Sequence, residues 1–127
     1  MDAQFDVMVP VRVDLSGGWT DVNPYCTDFG GEVINFTINK YVKARVDLTE
    51  GITYDFDVPI GSGLGTSGSV NVARIALLGK DQNLSLNEIA EAAYQAEIKS
   101  GNKCGRQDQW AATFGGFNRF MFHGENV

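Results

Sequence analysis

The sequence predicts an α+β fold: a mostly antiparallel sheet with helices packed on one face. Three observations carry this. Several runs in the first sixty residues alternate apolar and polar side chains, the period of strands with one buried side. Two of these runs are joined by the short turn Thr49-Glu50-Gly51, which makes a hairpin. Beyond it the alternation gives way to helical spacing, with apolar stretches over 70–78 and 86–93.

From Phe5 the odd positions Val7, Val9, Val11, Val13 and Leu15 are apolar, while Asp6, Arg12 and Asp14 hold the even side. This reads as a strand with its odd side in the core. Pro10 cannot donate to a ladder, so the strand lies at an edge or carries a bulge there. Ser16-Gly17-Gly18 ends it, and a loop containing Trp19, Asp21 and Tyr25 runs to Gly31. A second strand is expected over 33–38. A third sets Val42, Ala44, Val46 and Leu48 against Lys43, Arg45 and Asp47, and 52–58 returns beside it.

Pro59-Ile60-Gly61-Ser62-Gly63-Leu64-Gly65-Thr66-Ser67-Gly68-Ser69 follows, with four glycines in eight residues. Glycines let the backbone adopt positive φ and approach a ligand closely. The helix expected over 70–78 would present free N–H groups and the positive end of its dipole to an anion. The hydroxyls of Thr66, Ser67 and Ser69 lie at the same place, so the stretch reads as a phosphate cradle. No Lys follows the glycines, which excludes a Walker loop. Gly63-Leu64-Gly65-Thr66-Ser67-Gly68 does fit the G-x-G-x-x-G spacing of dinucleotide sites. Such a site follows a continuous apolar strand, and Ile52-Thr53-Tyr54-Asp55-Phe56-Asp57-Val58 alternates instead. An NAD-dependent oxidoreductase is therefore disfavoured; a glycine-rich turn without a ligand stays open on this motif alone.

Ser85-Leu86-Asn87-Glu88 is a capping box opening a helix to about Ser100, stopped by Gly101. Its apolar stripe of Leu86, Ile89, Ala90 and Ala93 continues into Ala96 and Glu97. A carboxylate on a core-facing stripe is costly unless a cation or donor meets it; the alternative is that the helix end has reached solvent. A short helix over 105–114 and a strand over 117–122 complete the chain.

The 127 residues suit one domain, and 43% hydrophobic with 20% charged residues is globular composition. A net charge of −6 with no Lys/Arg cluster argues against a nucleic-acid partner. Cys26 and Cys104 make no disulfide framework and no Cys/His metal spacing. Neither a signal region nor a membrane-spanning length occurs, so a cytoplasmic protein is expected. The lone His123 reads as incidental.

Three motifs then resemble, in order, those of the GHMP small-molecule kinases. Arg12-Val13-Asp14-Leu15-Ser16-Gly17-Gly18-Trp19-Thr20-Asp21 is similar to the first signature in its sugar-kinase form. The segment from Pro59 to Ser67 resembles the second. Gly105 to Asn118 resembles the catalytic segment of the branch that phosphorylates heptose phosphates and fucose. The resemblance implies ATP and Mg²⁺ as cofactors and a sugar or sugar phosphate as acceptor. It makes Asp108 the catalytic carboxylate and Arg12 a stabiliser of the transferring phosphoryl group. Ser67 and Glu97, the latter eleven residues before Asp108, would hold Mg²⁺. The loop from Gly61 through Gly63, Leu64, Gly65, Thr66, Ser67, Gly68 and Ser69 would hold phosphates. Gly18, Trp19, Asp21 and Asp108 would meet the acceptor. The implied fold is that of the family's N-terminal domain, residues 1–127, with a left-handed βαβ crossover around the phosphate loop.

Two parts of the family pattern are missing: a longer segment between the first two motifs, and a C-terminal domain. A trimmed domain is expected to be a slow enzyme or a silent phosphate-binding scaffold, and assembly as a homo-oligomer stays open.

Overall fold

The computed structural model describes residues 6–127; Phe5, at the head of the first alternating run, lies outside the described residues. In chain order the elements are β1 (Val7–Ser16), α1 (Tyr25–Phe29), β2 (Gly31–Asp47), β3 (Gly51–Phe56), α2 (Thr66–Leu78), α3 (Leu86–Lys99), α4 (Gln107–Phe114) and β4 (Phe117–Phe122). β2 is the central strand. β1 pairs along one side of it, and β3 and β4 lie end to end along the other. All of these ladders are antiparallel. The chain passes from β3 to β4 through α2, α3 and α4.

The strands expected at 33–38 and from Val42 are one strand of 17 residues. The polar pair Asn39-Lys40 marks a bulge and not a turn: Pro10 faces Tyr41 but Arg12 faces Thr37, so two steps on β1 match four on β2. A bulge of this kind flips the side on which later residues point. Val9 and Val11 are buried before it, whereas Leu15 beyond it is 54% exposed. Arg12 and Asp14, expected on the open polar side, turn instead toward α4. The far end of the hairpin also leaves the core, since Val46 and Leu48 are exposed while Val42 and Ala44 are fully buried.

α2 starts four residues earlier than the apolar pattern indicates. Gly65 caps it in the left-handed conformation at φ 71°, so Thr66 to Ser69 form its first turn. The main core joins Val9 and Ala44 of the sheet to Val72, Ala73 and Leu77 of α2, Ala93 of α3 and Ala112 of α4. Burial of each larger aliphatic side chain there contributes about 1.5–3 kcal/mol. The capping box is formed, with Glu88 N–H donating to Ser85 Oγ at 3.1 Å and Ser85 N–H to Glu88 Oε1 at 3.3 Å. α4 begins at Gln107, two residues later than expected, and the loop after β1 contains the short α1. No helix among the described residues is long and apolar enough to cross a membrane.

Candidate active site

The bulge in the β1–β2 ladder aims Arg12 at the start of α4. Its Nε donates to Asp108 Oδ1 at 2.8 Å, and its Nη2 lies 2.7 Å from the same oxygen. Its Nη1 donates to the Gly63 carbonyl at 2.9 Å, and its own backbone N–H to the Leu64 carbonyl at 2.9 Å. The arginine thus ties the glycine loop to α4. The fit is close: a Cβ on Gly68 would lie 2.7 Å from Asp108 Cβ.

Arg12 and Asp108 form a wall between two pockets. The larger, about 570 Å³, is lined by Gly61, Gly63, Gly65, Thr66, Ser67, Val70 and Asn71, with Phe56 and Ile60 at its side. Its polar part is the start of α2, where free N–H groups favour an anion; its apolar part suits a flat organic ring. Positive φ at Gly61, Gly63 and Gly65, between 71° and 81°, explains why glycine occupies these positions. Ser67 is exposed in this pocket, whereas Ser69 is buried and donates its hydroxyl to the Pro10 carbonyl at 2.9 Å. Leu64 meets Arg12 through its backbone. Gly68 provides the close approach of α2 to α4.

The smaller pocket, about 230 Å³, is lined by Asp14, Gly18, Trp19, Asp21, Lys103, Cys104 and Gln107 beside the same wall. Gln107 is its hub. Its backbone N–H donates to Asp21 Oδ2 at 3.1 Å, and its Nε2 to Asp14 Oδ2 at 3.3 Å. Behind it the half-buried Asn118 donates to Asn35 and Asn35 to Gln107 Oε1, a chain of side-chain amides ending on the Asp14 carboxylate. Among the described residues Asp14 Oδ1 is buried with no hydrogen-bond partner. Burial pushes the Asp21 carboxyl above its ordinary range, against backbone donors led by Gln107 that pull it down; the Asp108 charge adds to the rise. Sequence reasoning missed Asp14 and Gln107. Asp14 stands two residues from Arg12 on the same strand side, which is the signal that could have found it.

Glu97 lies behind the wall. It is 3% exposed, so the helix end has not reached solvent. Its Oε1 accepts from Gln109 Nε2 at 2.9 Å. Asn71 and Cys104 also meet the carboxyl, whose pKa is raised by burial first and then by the Asp108 charge. Asn71 bridges toward Ser67, donating to its carbonyl at 3.1 Å. A buried carboxylate beside a second one and met by neutral amides suits a hard cation. No group of three His, Cys, Asp or Glu positioned for a metal occurs among the described residues. Mg²⁺ needs no such cage, because it is held by one or two carboxylates together with waters and phosphates; the donor set fits it. Cys104, whose thiol burial pushes up to about 12, stays protonated and is no nucleophile at neutral pH. His123 lines a separate surface groove with Tyr25 and Phe29.

The family described as "GHMP kinases N terminal domain" matches residues 32–116. The chain belongs to the GHMP kinases. It is similar to the D-glycero-alpha-D-manno-heptose 7-phosphate kinase of Campylobacter jejuni, 32% identical over 168 aligned positions that cover 90% of this chain and 49% of that enzyme. Those positions outnumber the 127 residues here, so the relative carries segments with no counterpart in this GHMP chain. A mevalonate kinase of Archaeoglobus fulgidus is 39% identical over 67 residues, covering 51% of this chain and 24% of that protein. Among solved structures, a D-glycero-D-manno-heptose 1-phosphate kinase from Bacteroides thetaiotaomicron superposes with a TM-score of 0.80 at 27% identity, covering 94% of this chain and 56% of that one. The chain spans about half the length of the heptose-phosphate kinases it matches. The α+β architecture expected from the sequence, an antiparallel sheet with helices, is the one these GHMP structures share.

Proposed function

We propose that this chain carries the phosphate loop and catalytic wall of an ATP- and Mg²⁺-dependent kinase that phosphorylates a hydroxyl of a sugar or sugar phosphate. One observation carries the reading: the Arg12–Asp108 pair is shared by two pockets, one floored by the glycine loop and one lined by polar side chains. Phosphoryl transfer asks the protein mainly for positioning and charge stabilisation along one line, and a charged pair between two pockets supplies both.

In this reading Gly61, Gly63, Leu64, Gly65, Thr66, Ser67 and Gly68 hold the nucleotide phosphates through backbone N–H groups and the Ser67 hydroxyl; Ser69 stands outside that set, because its N–H donates to the Gly65 carbonyl at 3.1 Å and its hydroxyl to the Pro10 carbonyl. Both Arg12 contacts fall on Asp108 Oδ1, which leaves Oδ2 to take the proton of the acceptor hydroxyl. Arg12 also faces the transferring group and offsets its charge. Gly18 keeps the loop close over the pocket, and Trp19 and Asp21 meet the acceptor. Ser67 and Glu97 would hold Mg²⁺, which when bound neutralises charge on the phosphates. Residues 1–127 act as one GHMP N-terminal-type domain, with small-molecule partners, in the cytoplasm.

Water exclusion and preorganised charge supply much of this catalysis, and half the length of a relative supplies little of either. The 127 residues alone are expected to bind Mg²⁺–ATP weakly and to turn over far below the usual kinase range of roughly 1–100 per second. Calorimetric titration with ATP, with and without Mg²⁺, tests the reading against Ser67→Ala. Metal-dependent heat that is lost in the variant supports it. Equal heats for parent and variant, or none for either, count against it.

A further inference from the structure

Among the described residues Gln109 is the largest side chain that is fully buried. Such a position is ordinarily filled by an apolar side chain, because each polar atom taken from water needs a partner. Gln109 meets that demand only in part. Its Nε2 donates to Glu97 Oε1 at 2.9 Å, while among the described residues its own Oε1 is buried with no hydrogen-bond partner. An unmet buried acceptor is costly, and leucine or methionine would fill the space without that cost. What glutamine adds is a neutral N–H on the Glu97 carboxylate. A lysine there would also hold the carboxylate, but its positive charge would compete with a cation for it. A neutral amide orients the carboxylate and leaves its charge for a divalent ion.

An α-helix turns about 100° per residue, so consecutive side chains of α4 leave it in different directions. Asp108 reaches Arg12, and Gln109 reaches Glu97 on α3. We propose that Gln109 is a positioning residue for the cation site, its amide holding the Glu97 carboxylate in place while leaving the charge for the metal. The inference rests on reading Glu97 as a Mg²⁺ ligand. It gives the first turn of α4 two tasks on adjacent residues: Asp108 serves the acceptor hydroxyl, and Gln109 serves the ligand of the cation.

The test is calorimetric titration of the 127-residue chain with ATP, with and without Mg²⁺, for the parent, Gln109→Met and Gln109→Lys. Thermal melts in metal-free buffer show that each variant folds. The quantity compared is the ratio of ATP affinity with Mg²⁺ to that without it. Gln109→Met fills the same space without the donor. Its ratio should fall about tenfold, the lower end of the loss for a partner of a metal ligand, while its affinity for metal-free ATP matches the parent's. Gln109→Lys keeps a donor on Glu97 but adds the competing charge, so its ratio should fall as well. Equal losses of affinity with and without Mg²⁺ would assign Gln109 to packing alone and overturn the proposal. If Gln109→Met does not fold, Gln109→Lys decides, and a parental ratio in that variant overturns the proposal. A parent whose ATP heat is independent of Mg²⁺ takes down this inference and the Mg²⁺ reading of Glu97 together. A parental Mg²⁺ dependence that Gln109→Met leaves intact takes down this inference alone.

Discussion

Arg12 and Asp108 lie 96 positions apart in the chain and meet through two contacts on one carboxylate oxygen. The pair is partly shielded, with side chains 11% and 25% exposed. The pair matters for geometry. It fixes the angle between the edge strand, the glycine loop and α4, and it leaves one Asp108 oxygen for chemistry.

Asp108→Asn keeps the shape and an acceptor for Arg12 but removes the base. Sugar-dependent ADP release should fall by about 10²–10⁴-fold, the range of general-base catalysis. Mg²⁺–ATP binding and Tm should stay close to the parent's. Full activity in the variant would exclude Asp108 as the base.

Gly68→Ala sets two effects against each other. Alanine is favoured over glycine inside a helix by about 1 kcal/mol. The new methyl, however, would sit 2.7 Å from Asp108 Cβ and 3.3 Å from its backbone carbon, and backbone cannot swing aside. Overpacking costs typically 1–3 kcal/mol, so destabilisation should win. A Tm lower by a few degrees, with weakened turnover as Asp108 shifts, is the expected result. A higher Tm would mean that α2 and α4 separate easily.

The legible parts of this fold were those decided locally. Ser85 and Glu88 cap α3 because both partners lie within four residues, and Glu97 stood out because helical spacing alone puts it on the buried stripe. The inward turn of Arg12 and Asp14 was not legible, because it depends on a bulge in β2 nearly thirty residues away. Asn39-Lys40 looks like a turn until β1 is seen to pair on both sides of it. The start of α2 was hidden for a different reason: Thr66 to Ser69 carry low helix propensity, and Gly65 in the left-handed conformation begins the helix in spite of them. The two-pocket arrangement lay beyond pattern reading, since its wall joins residues from opposite ends of the chain.

Glu97 should make stability fall as pH rises, in metal-free buffer. Below its ordinary value of 4.5 the carboxyl is protonated in both native and unfolded chains. As pH climbs the unfolded chain releases this proton first, because burial has raised the native value; native stability is then lost through that raised value. Asp21 adds the same sign of dependence from 3.8 upward. Glu97→Gln removes the Glu97 part, so the Tm of the variant minus that of the parent should grow between pH 4 and pH 8. The variant should also lose the Mg²⁺ dependence of ATP binding. A Tm difference that stays flat with pH would show that the buried charge is already offset in the native fold.

Arg106 anchors the start of α4, two residues before Asp108. It is 4% exposed, pairs with Glu91 on α3 at 2.9 Å, stacks 4.0 Å over the Tyr94 ring and donates to the Gly124 carbonyl at 3.3 Å. Glu91 is 40% exposed, so the charge pair itself is screened and contributes at most about 1 kcal/mol. Packing and the fork geometry of the guanidinium should dominate. Arg106→Met should therefore cost about 2 kcal/mol or more, because it leaves the Gly124 carbonyl without this donor and loosens α4. Glu91→Gln should cost less than half as much. Thermal melts of the two variants decide the matter: equal losses would assign the anchor to charge, and the expected inequality assigns it to packing of the guanidinium between α3, α4 and the turn after β4.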